Sequence, residues 1–208
     1  MNALDLLKTG PVMPVIVIDD IAEAVPLARA LVAGGVRVLE VTLRTAAALE
    51  AIRAIASEVP EAIVGAGTIL NAHDLQQARE AGARFGVSPG ATTELLEAAR
   101  IEGWPFLPGV ATPSEAMRAL EHGYSVLKFF PAQQAGGSAL LKALHGPLPL
   151  LRFCPTGGIT VATAPEFLVL PNVVCVGGSW LTPAKLVKGQ DWAGITKLAA
   201  EAAALARP

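Results

Sequence analysis

The chain has little charge and few aromatic residues for its length. Of its 208 residues, 16% are charged and 5% are aromatic, and the formal net charge is -2. No run of like charges occurs, so the sequence offers no basic surface for nucleic acid or an anionic membrane. No apolar run reaches the roughly 18 residues of a membrane span, and no export signal begins the chain. We therefore expect a cytoplasmic protein with no nucleic-acid or membrane partner.

Cysteine and histidine are also scarce, with two and three copies. Cys154 and Cys175 lie in apolar segments, which is typical of buried thiols in a reducing compartment. None of the three histidines, His73, His122 and His145, has metal-ligand spacing to another His or Cys. The sequence therefore predicts no metal site, and nothing in it indicates a cofactor.

Apolar residues, in contrast, are abundant. They make up 52% of the chain, and the mean hydropathy is +0.50. Many segments must then be buried on both faces or against another subunit, which favours an α/β architecture in an oligomer. The length suits one sizeable core, and no linker rich in Pro, Ser or Gly divides the chain. We predict a single domain over residues 1–208.

Short apolar runs alternate with alanine-rich helical patterns from residue 12 onward. Strands that are not joined by hairpin turns indicate parallel crossovers. The predicted strands are 15–18, 36–42, 63–67, 84–87, 106–107, 126–130, 151–154 and 173–176. The predicted helices are 21–33, 46–58, 72–81, 93–102, 113–121, 138–144, 161–168 and 193–205. Eight such units predict a compact (β/α)8 TIM-type barrel with a short N-terminal helix; the alternative is an open doubly wound sheet.

Lys128 lies inside the apolar, strand-like segment 126–131 (VLKFFP). An ammonium group is not needed there for solubility, and an apolar environment disfavours the charged form of an amine. A neutral amine is a nucleophile toward carbonyl groups. In the alternative interpretation, the stem of Lys128 packs on apolar neighbours while its ammonium group reaches solvent. The other lysines lie in helical or loop-like segments, so Lys128 alone requires an explanation.

Alternation along the second predicted strand places Glu40, Thr42 and Arg44 on one face, which we expect to point into the barrel. The same alternation in the sixth predicted strand points Lys128 and Phe130 inward. Barrel enzymes place their catalytic groups at the carboxyl ends of the strands. Glu40 and Lys128 are therefore expected to meet there. A purely structural ion pair is the alternative, but burying such a pair usually brings little net stability.

Two glycine-rich segments follow the seventh and eighth predicted strands: 155–160 (PTGGIT) and 177–179 (GGS). Glycine lets backbone amides approach an anion, a hydroxyl group adds a donor, and a helix N-terminus adds positive charge. Phosphate commonly binds after strands seven and eight of such barrels, so we expect a phosphate group there. A third segment, 65–68 (GAGT), is less specific, because Thr68 either faces inward or caps the next helix.

Together these segments resemble the signature segments of the 2-keto-3-deoxy-6-phosphogluconate (KDPG) aldolase family. The resemblance rests on 35–44 (GVRVLEVTLR) and 123–132 (GYSVLKFFPA), and extends through 65–68, 88–90 (SPG), 152–158 (RFCPTGG) and 177–180 (GGSW). It covers nearly the whole chain. It implies a class I aldolase on a (β/α)8 barrel, usually a homotrimer, that acts in the Entner–Doudoroff pathway of carbohydrate metabolism without a metal.

The resemblance also implies roles for individual residues. Lys128 would form the Schiff base, Glu40 would be the general acid/base, and Arg44 would bind the pyruvyl carboxylate. The rest of the implied site comprises Thr68, Pro89, Phe130 and Thr156 for the substrate, and Gly157, Gly158, Gly178 and Ser179 for the phosphate. The segments 133–135 (QQA) and 72–73 (AH) depart from the family's pattern, which leaves the fine substrate preference open.

These residue types suit retro-aldol chemistry. Cleavage next to a ketone leaves a carbanion, and a protonated imine on Lys128 would convert it to a neutral enamine. Glu40 would take the proton of the C4 hydroxyl, through a water, and would shuttle protons while the imine forms and hydrolyses. We therefore predict cleavage of KDPG, a small phosphorylated 2-keto acid, to pyruvate and glyceraldehyde 3-phosphate.

Several alternatives stay open at this point. Related aldolases cleave 4-hydroxy-2-oxoglutarate (KHG) or a galactonate-derived epimer, and oxaloacetate decarboxylation through the same imine would be a side activity. A metal-dependent sugar-phosphate epimerase would need inward His and Asp ligands, which the three histidines do not supply. A barrel that only binds a phosphorylated metabolite would explain the glycine segments but would leave Glu40 and Lys128 without a purpose.

Overall fold

Parallel strands form the centre of the protein. The computed structural model describes residues 1–206. Within them the strands are β1 (Val12–Ile16), β2 (Val38–Thr42), β3 (Ile63–Gly67), β4 (Gly86–Val87), β5 (Phe106–Leu107), β6 (Gly109–Val110), β7 (Val126–Phe129), β8 (Arg152–Pro155) and β9 (Val176–Gly178). Every pairing between neighbouring strands is parallel, as strands joined by helical crossovers require.

The strands close into a barrel. One sheet has the order β5-β4-β3-β2-β1-β9, and the other has the order β6-β7-β8. Strands β5 and β6 are the two parts of one barrel strand, separated only by Pro108. On the other side, parallel bridges join Phe153 to Val173 and Thr156 to Gly177, which connects β8 to β9. The predicted (β/α)8 barrel is therefore confirmed, and the open doubly wound sheet is wrong.

Helices connect the strands. They are α1 (Ala3–Leu7), α2 (Ile21–Ala33), α3 (Ala48–Glu58), α4 (Ala72–Glu80), α5 (Thr93–Ile101), α6 (Pro113–Glu121), α7 (Gly137–His145), α8 (Ala164–Leu168), α9 (Ala184–Lys188) and α10 (Trp192–Ala203). Within residues 1–206, no helix is long and apolar enough to cross a membrane. The short N-terminal helix α1 buries Leu6 and Leu7 among residues of the barrel interior.

Alternate side chains of a strand belong to two different apolar clusters, one inside the barrel and one between the strands and the helices. In β2, Val38 belongs to the apolar cluster inside the barrel, whereas Leu39 and Val41 belong to the cluster between strands and helices. In β7, Val126 faces the interior and Leu127 faces the helices. The two-residue period of a strand therefore decides which side chains enter the barrel, as predicted for both strands.

Strand β1 begins three residues before the prediction of 15–18. Its Val12 and Met13 pair with β9 and its Val15 and Ile16 pair with β2. Pro14 makes this run a poor strand candidate in the sequence. Alternate residues of a parallel strand direct their N–H groups to opposite neighbours, however, so one missing donor removes only one bond. As a consequence, Val15 lies near the carboxyl end of β1.

Other differences lie near the C-terminus. Strand β9 is Val176–Gly178 rather than 173–176, so its two glycines belong to the strand itself. Helix α8 is shorter than the predicted 161–168, because residues 160–163 form a turn in which the Thr160 N–H donates to Thr163 Oγ1 at 3.0 Å. Helix α9 is an additional short element that the prediction did not contain.

Candidate active site

A buried pair of opposite charges lies inside the barrel. Glu40 of β2 is fully buried and Lys128 of β7 is 2% exposed. Lys128 Nζ donates to Glu40 Oε1 at 3.1 Å. The prediction that these two residues meet is therefore confirmed. The alternative with an ammonium group in solvent is wrong, because the whole Lys128 side chain is buried.

Glu40 keeps one oxygen available. Its Oε2 is buried and accepts no hydrogen bond from any residue between 1 and 206. A methyl group on Gly67, at the end of β3, would lie 2.7 Å from Glu40 Cγ. Gly67 thus provides the space that the carboxylate occupies. A carboxylate has about four acceptor positions, so Glu40 can bind Lys128 through Oε1 and still take a proton or a hydrogen bond at Oε2.

A small cavity opens beside Lys128 at the carboxyl ends of the strands. Its volume is about 140 Å³. The lining residues come from β1, β7 and β9 and from the loops that follow β2, β7, β8 and β9: Val15, Arg44, Lys128, Phe130, Thr156, Gly157, Gly158, Ile159, Gly177, Gly178 and Ser179. The barrel thus brings together most of the residues singled out in the sequence, at the end where such enzymes carry their chemistry.

Arg44 and Thr68 hold each other at one side of this cavity. Arg44 Nε donates to Thr68 Oγ1 at 3.0 Å. Thr68 has a left-handed backbone, with φ +61°, and it does not line the cavity. The interpretation of Thr68 as a helix cap is wrong, because Asn71 caps α4 by accepting from the Asp74 N–H at 2.9 Å. Thr68 therefore orients the guanidinium group rather than capping a helix.

Phe130 and Thr156 form the walls next to the amine. Lys128 Nζ lies 5.3 Å from the centroid of the Phe130 ring. A methyl group on Gly177 would lie 2.9 Å from Thr156 Cγ2, so this glycine makes room for the threonine. Pro89, in contrast, does not line the cavity. It follows β4 and packs on Gly109, which is the register partner of Lys128.

The glycine loops, residues 157–159 after β8 and 177–179 at the end of β9, line the same cavity as Arg44. Gly157 and Gly158 both have positive φ, +106° and +73°, a conformation that favours glycine. Gly178 ends β9, and Ser179 follows it. Because α8 begins only at Ala164, no helix N-terminus adjoins the Gly157–Gly158 turn, contrary to expectation. Backbone N–H groups and the Ser179 hydroxyl are the donors available to an anion.

Three lining residues had no individual role in the prediction: Val15, and Ile159 and Gly177 within the two predicted glycine-rich segments. Val15 was predicted to begin its strand, whereas it lies near the carboxyl end of β1 and pairs directly with Glu40. Gly177 lies two residues after Cys175, which faces the interior. If the predicted strand 173–176 had continued to residue 178, alternation would have placed Gly177 on the same inward face. Ile159 lies in a loop, where no periodicity applies.

Titratable groups outside the cavity have other roles. Within residues 1–206, no three His, Cys, Asp or Glu side chains are grouped so as to hold a metal ion. The Tyr124 hydroxyl donates to the Leu96 carbonyl at 2.8 Å. Burial raises the pKa of Tyr124 to about 12, so the phenol keeps its proton, and with it this bond between α5 and the residue before Ser125 and β7, even in alkaline solution.

Comparison with known proteins agrees with this geometry. The family model described as KDPG and KHG aldolase matches residues 4–198. The chain belongs to the KDPG and KHG aldolase family. A KHG/KDPG aldolase of Escherichia coli K12 is 55% identical over 201 residues, which are 97% of this chain and 94% of that protein. The predicted family, fold and aldolase (lyase) activity are therefore confirmed.

Solved structures of this family superpose closely on the barrel. The KDPG aldolase of Zymomonas mobilis has a TM-score of 0.95 at 52% identity, and the match covers 100% of this chain and 98% of that one. The KDPG aldolase of Legionella pneumophila, with pyruvate captured at low pH as a covalent carbinolamine, has a TM-score of 0.96 at 46% identity, over 98% and 99%. That captured species is a covalent adduct on the path to an imine.

Proposed function

We propose that this chain is a class I aldolase that cleaves KDPG to pyruvate and glyceraldehyde 3-phosphate through a Schiff base on Lys128. The observation that carries the proposal is the buried contact of 3.1 Å between Lys128 Nζ and Glu40 Oε1 at a cavity that also reaches two glycine loops. A nucleophilic amine, a proton carrier and an anion site are the three parts that this reaction needs.

The amine of Lys128 supplies the electron sink. Transfer of one proton from Nζ to Glu40 leaves a neutral amine, which attacks the C2 carbonyl of the substrate. The resulting carbinolamine loses water to give a protonated imine. The C3–C4 bond then breaks, its electron pair moves into the imine to form an enamine, and the aldehyde leaves. Protonation at C3 and hydrolysis release pyruvate and restore Lys128.

Glu40 carries the protons of these steps. It receives the C4 hydroxyl proton as the bond breaks, and it returns protons during the loss of water and the protonation at C3. Its Oε2, which has no partner among the described residues, is the atom that we assign to this exchange. Glu40→Gln keeps the shape but cannot carry a proton, so turnover should fall by roughly two to four decades.

The remaining lining residues orient the substrate. Arg44, held by Thr68, would bind the pyruvyl carboxylate, since a guanidinium group suits a carboxylate. Phe130 and Thr156 would form the walls around the carbonyl carbon, and Pro89 would act from behind, through Gly109. The phosphate would bind the N–H groups of Gly157, Gly158 and Gly178 and the hydroxyl of Ser179.

A cytoplasmic homotrimer acting in the Entner–Doudoroff pathway is part of the same proposal. The family suggests the trimer, and the surface supports association, because large apolar side chains are exposed: Leu70 is 57% exposed, Ile101 77%, Leu150 70% and Val169 67%. Such side chains are common at interfaces between subunits. Sedimentation equilibrium should give three times the mass of one chain, and a monomer would contradict this part.

The test of the Schiff base is borohydride trapping. The protein is incubated with pyruvate, reduced with borohydride and digested, and the modified peptide is located by mass spectrometry. A reduced pyruvyl adduct on Lys128 is expected, and the Lys128→Met variant and a sample without pyruvate are the controls. No adduct on folded protein, or an adduct on Lys142 or another lysine, would contradict the mechanism.

KHG cleavage is the second candidate activity, because the pyruvyl half of the site does not involve the glycine loops. Lys128, Glu40 and Arg44 would act on KHG as they act on KDPG, but KHG has no phosphate for Gly157 and Gly158. We expect kcat/KM to be higher for KDPG than for KHG. A higher kcat/KM for KHG would make KHG cleavage the main activity instead.

A further inference from the structure

The loop after β7 packs on the loop that we assign to the phosphate. The Ala132 N–H donates to the Thr156 carbonyl at 2.8 Å, and the Gln133 N–H donates to the Gly157 carbonyl at 3.1 Å. A methyl group on Gly158 would lie 2.9 Å from Gln133 Cβ. The segment 132–134 therefore forms a fixed outer wall of the glycine loop.

Gln134 places its amide at this wall. Its Nε2 atom lies 3.4 Å from the position that a Cβ of Gly158 would occupy. The amide nitrogen is therefore within about 5 Å of Gly158 Cα, given the length of a Cα–Cβ bond. Gln134 is exposed to solvent, so its side chain can turn toward a ligand at the glycine loop without leaving a buried position.

The chain segments that form the glycine loops and their outer wall contain no charged residue. The segments 131–141 (PAQQAGGSALL), 155–163 (PTGGITVAT) and 177–184 (GGSWLTPA) contain neither acidic nor basic residues. Asp19, Glu23 and Lys188 line an adjoining cavity that shares Val15 and Ser179 with this one. The charged residues that line the cavity, Arg44 and Lys128, are assigned to the pyruvyl half of the substrate. A phosphate at the glycine loops would therefore be held mainly by neutral donors, and its binding would respond to any nearby charge.

We propose that Gln134 is a specificity-determining residue that favours the phosphorylated substrate over the same sugar acid without its phosphate. This inference rests on the proposed function. The carboxamide offers N–H donors beside Gly158 and adds no negative charge where a dianion binds. A carboxylate at this position would repel the phosphate, and an ammonium group would attract it.

The experiment compares two substrates that differ only in the phosphate. The values of kcat/KM for KDPG and for 2-keto-3-deoxygluconate are measured for the wild type and for the Gln134→Glu, Gln134→Lys and Gln134→Met variants. The phosphate preference is the ratio of the two values. We expect Gln134→Glu to lower this ratio about threefold to tenfold, the size expected for one charge near a dianion at a protein surface.

The other variants separate charge from hydrogen bonding. Gln134→Lys should raise the ratio, and Gln134→Met, which keeps the size but loses the donors, should lower it by less than Gln134→Glu does. Added salt should reduce the effects of both charged variants. A purely structural role of Gln134 would not give this dependence on salt. Gln76→Glu, on the exposed face of α4, makes the same charge change elsewhere and is the matched control.

The outcomes distinguish this inference from the function on which it rests. If the wild type does not cleave KDPG, the proposed function fails. If the wild type cleaves KDPG but all three Gln134 variants keep the wild-type ratio, only the role of Gln134 is overturned. Equal losses on both substrates would also overturn it, since they would indicate a general disturbance of the loop.

Discussion

The barrel interior has two halves of opposite character. One half, called the lower interior here, is apolar and comprises Leu6, Leu7, Met13, Val38, Ile63, Phe85, Val87, Leu107, Val126, Cys154 and Cys175. The upper interior, near the carboxyl ends, comprises Glu40, Thr42, Lys128 and Thr156, which are all buried. The same strands supply both halves. One step of two residues, about 6.6 Å along a strand, separates Val38 from Glu40 and Val126 from Lys128.

This difference shows that packing and chemistry occupy successive layers of one sheet. The lower interior excludes water, and α1 covers it with Leu6 and Leu7. The upper interior holds a buried pair of charges, which usually brings little net stability compared with apolar residues of similar size. We therefore attribute the charged layer to the proposed reaction and the apolar layer beneath it to stability. Each layer can be changed separately.

The largest effect should come from making Lys128 apolar. Lys128→Met should abolish cleavage, because no amine remains to form the imine. It should also lower the free energy of unfolding by about 3–5 kcal/mol, since Glu40 would stay buried without its partner. Urea unfolding and a cleavage assay measure the two effects.

The double variant Glu40→Leu/Lys128→Met extends the lower interior upward by one layer. It should be inactive, yet it should recover most of the lost stability or exceed the wild type, because no buried charge remains. A double variant as unstable as Lys128→Met would show that the pair stabilises the fold, contrary to the division between the two layers.

The two layers also explain which parts of the structure could be predicted from the sequence. The alternation of β2 and β7 determines that Glu40 and Lys128 face inward, and the parallel pattern determines that they meet at one end. The place of Val15 near the carboxyl end of β1 could not be predicted, because Pro14 favours a later start for that strand in the sequence. The contact between Thr68 and Arg44 depends on a left-handed backbone at a threonine, which no sequence pattern indicates.

Contacts between loops were equally inaccessible to sequence analysis. The approach of Gln134 to Gly158 results from the packing of two irregular segments, in which neither the strand period nor the helix period applies. Family resemblance identifies the glycine loop, but it does not identify what lies against it where the sequence departs from the family's pattern. The prediction was thus reliable for β2 and β7 and weak for the wall around the proposed phosphate site.

A smaller effect should follow from disturbing the upper interior without removing Glu40 or Lys128. Gly67→Ala would place a methyl group 2.7 Å from Glu40 Cγ and displace the carboxylate. A shift of about 1 Å in a catalytic group costs roughly a hundredfold in rate, so kcat should fall by about that factor. Gly146→Ala is the control, because a methyl group there meets nothing within 4 Å. Unchanged turnover in Gly67→Ala would refute this account of Gly67.

Val126→Ala makes a matched change in the lower interior, two residues from Lys128 in the same strand. Loss of two methylene-sized groups from an apolar site should lower the free energy of unfolding by about 2 kcal/mol. The folded enzyme should keep the wild-type kcat, since the cavity above is untouched. Thermal or urea unfolding and an assay well below the melting temperature test both statements. A large fall in kcat would show that the two layers are coupled.

The smallest effect should come from a carboxylate outside the barrel, which gives the baseline for losing one negative charge. Glu115 Oε2 accepts from the Ala111 and Thr112 N–H groups at 2.7 and 2.9 Å in the capping box of α6. These bonds, with that of Ala111 foremost, lower the pKa of Glu115 below its usual 4.5. The charge of Glu115 therefore stabilises the fold at pH values above 4.5, and the contribution is lost as the pH falls through the lowered pKa.

Glu115→Gln keeps the acceptor and should lower the free energy of unfolding by about 0.5 kcal/mol at pH 7. Because both side chains are neutral in acid, the difference in unfolding free energy should vanish there, and a difference that persists would contradict the electrostatic cause.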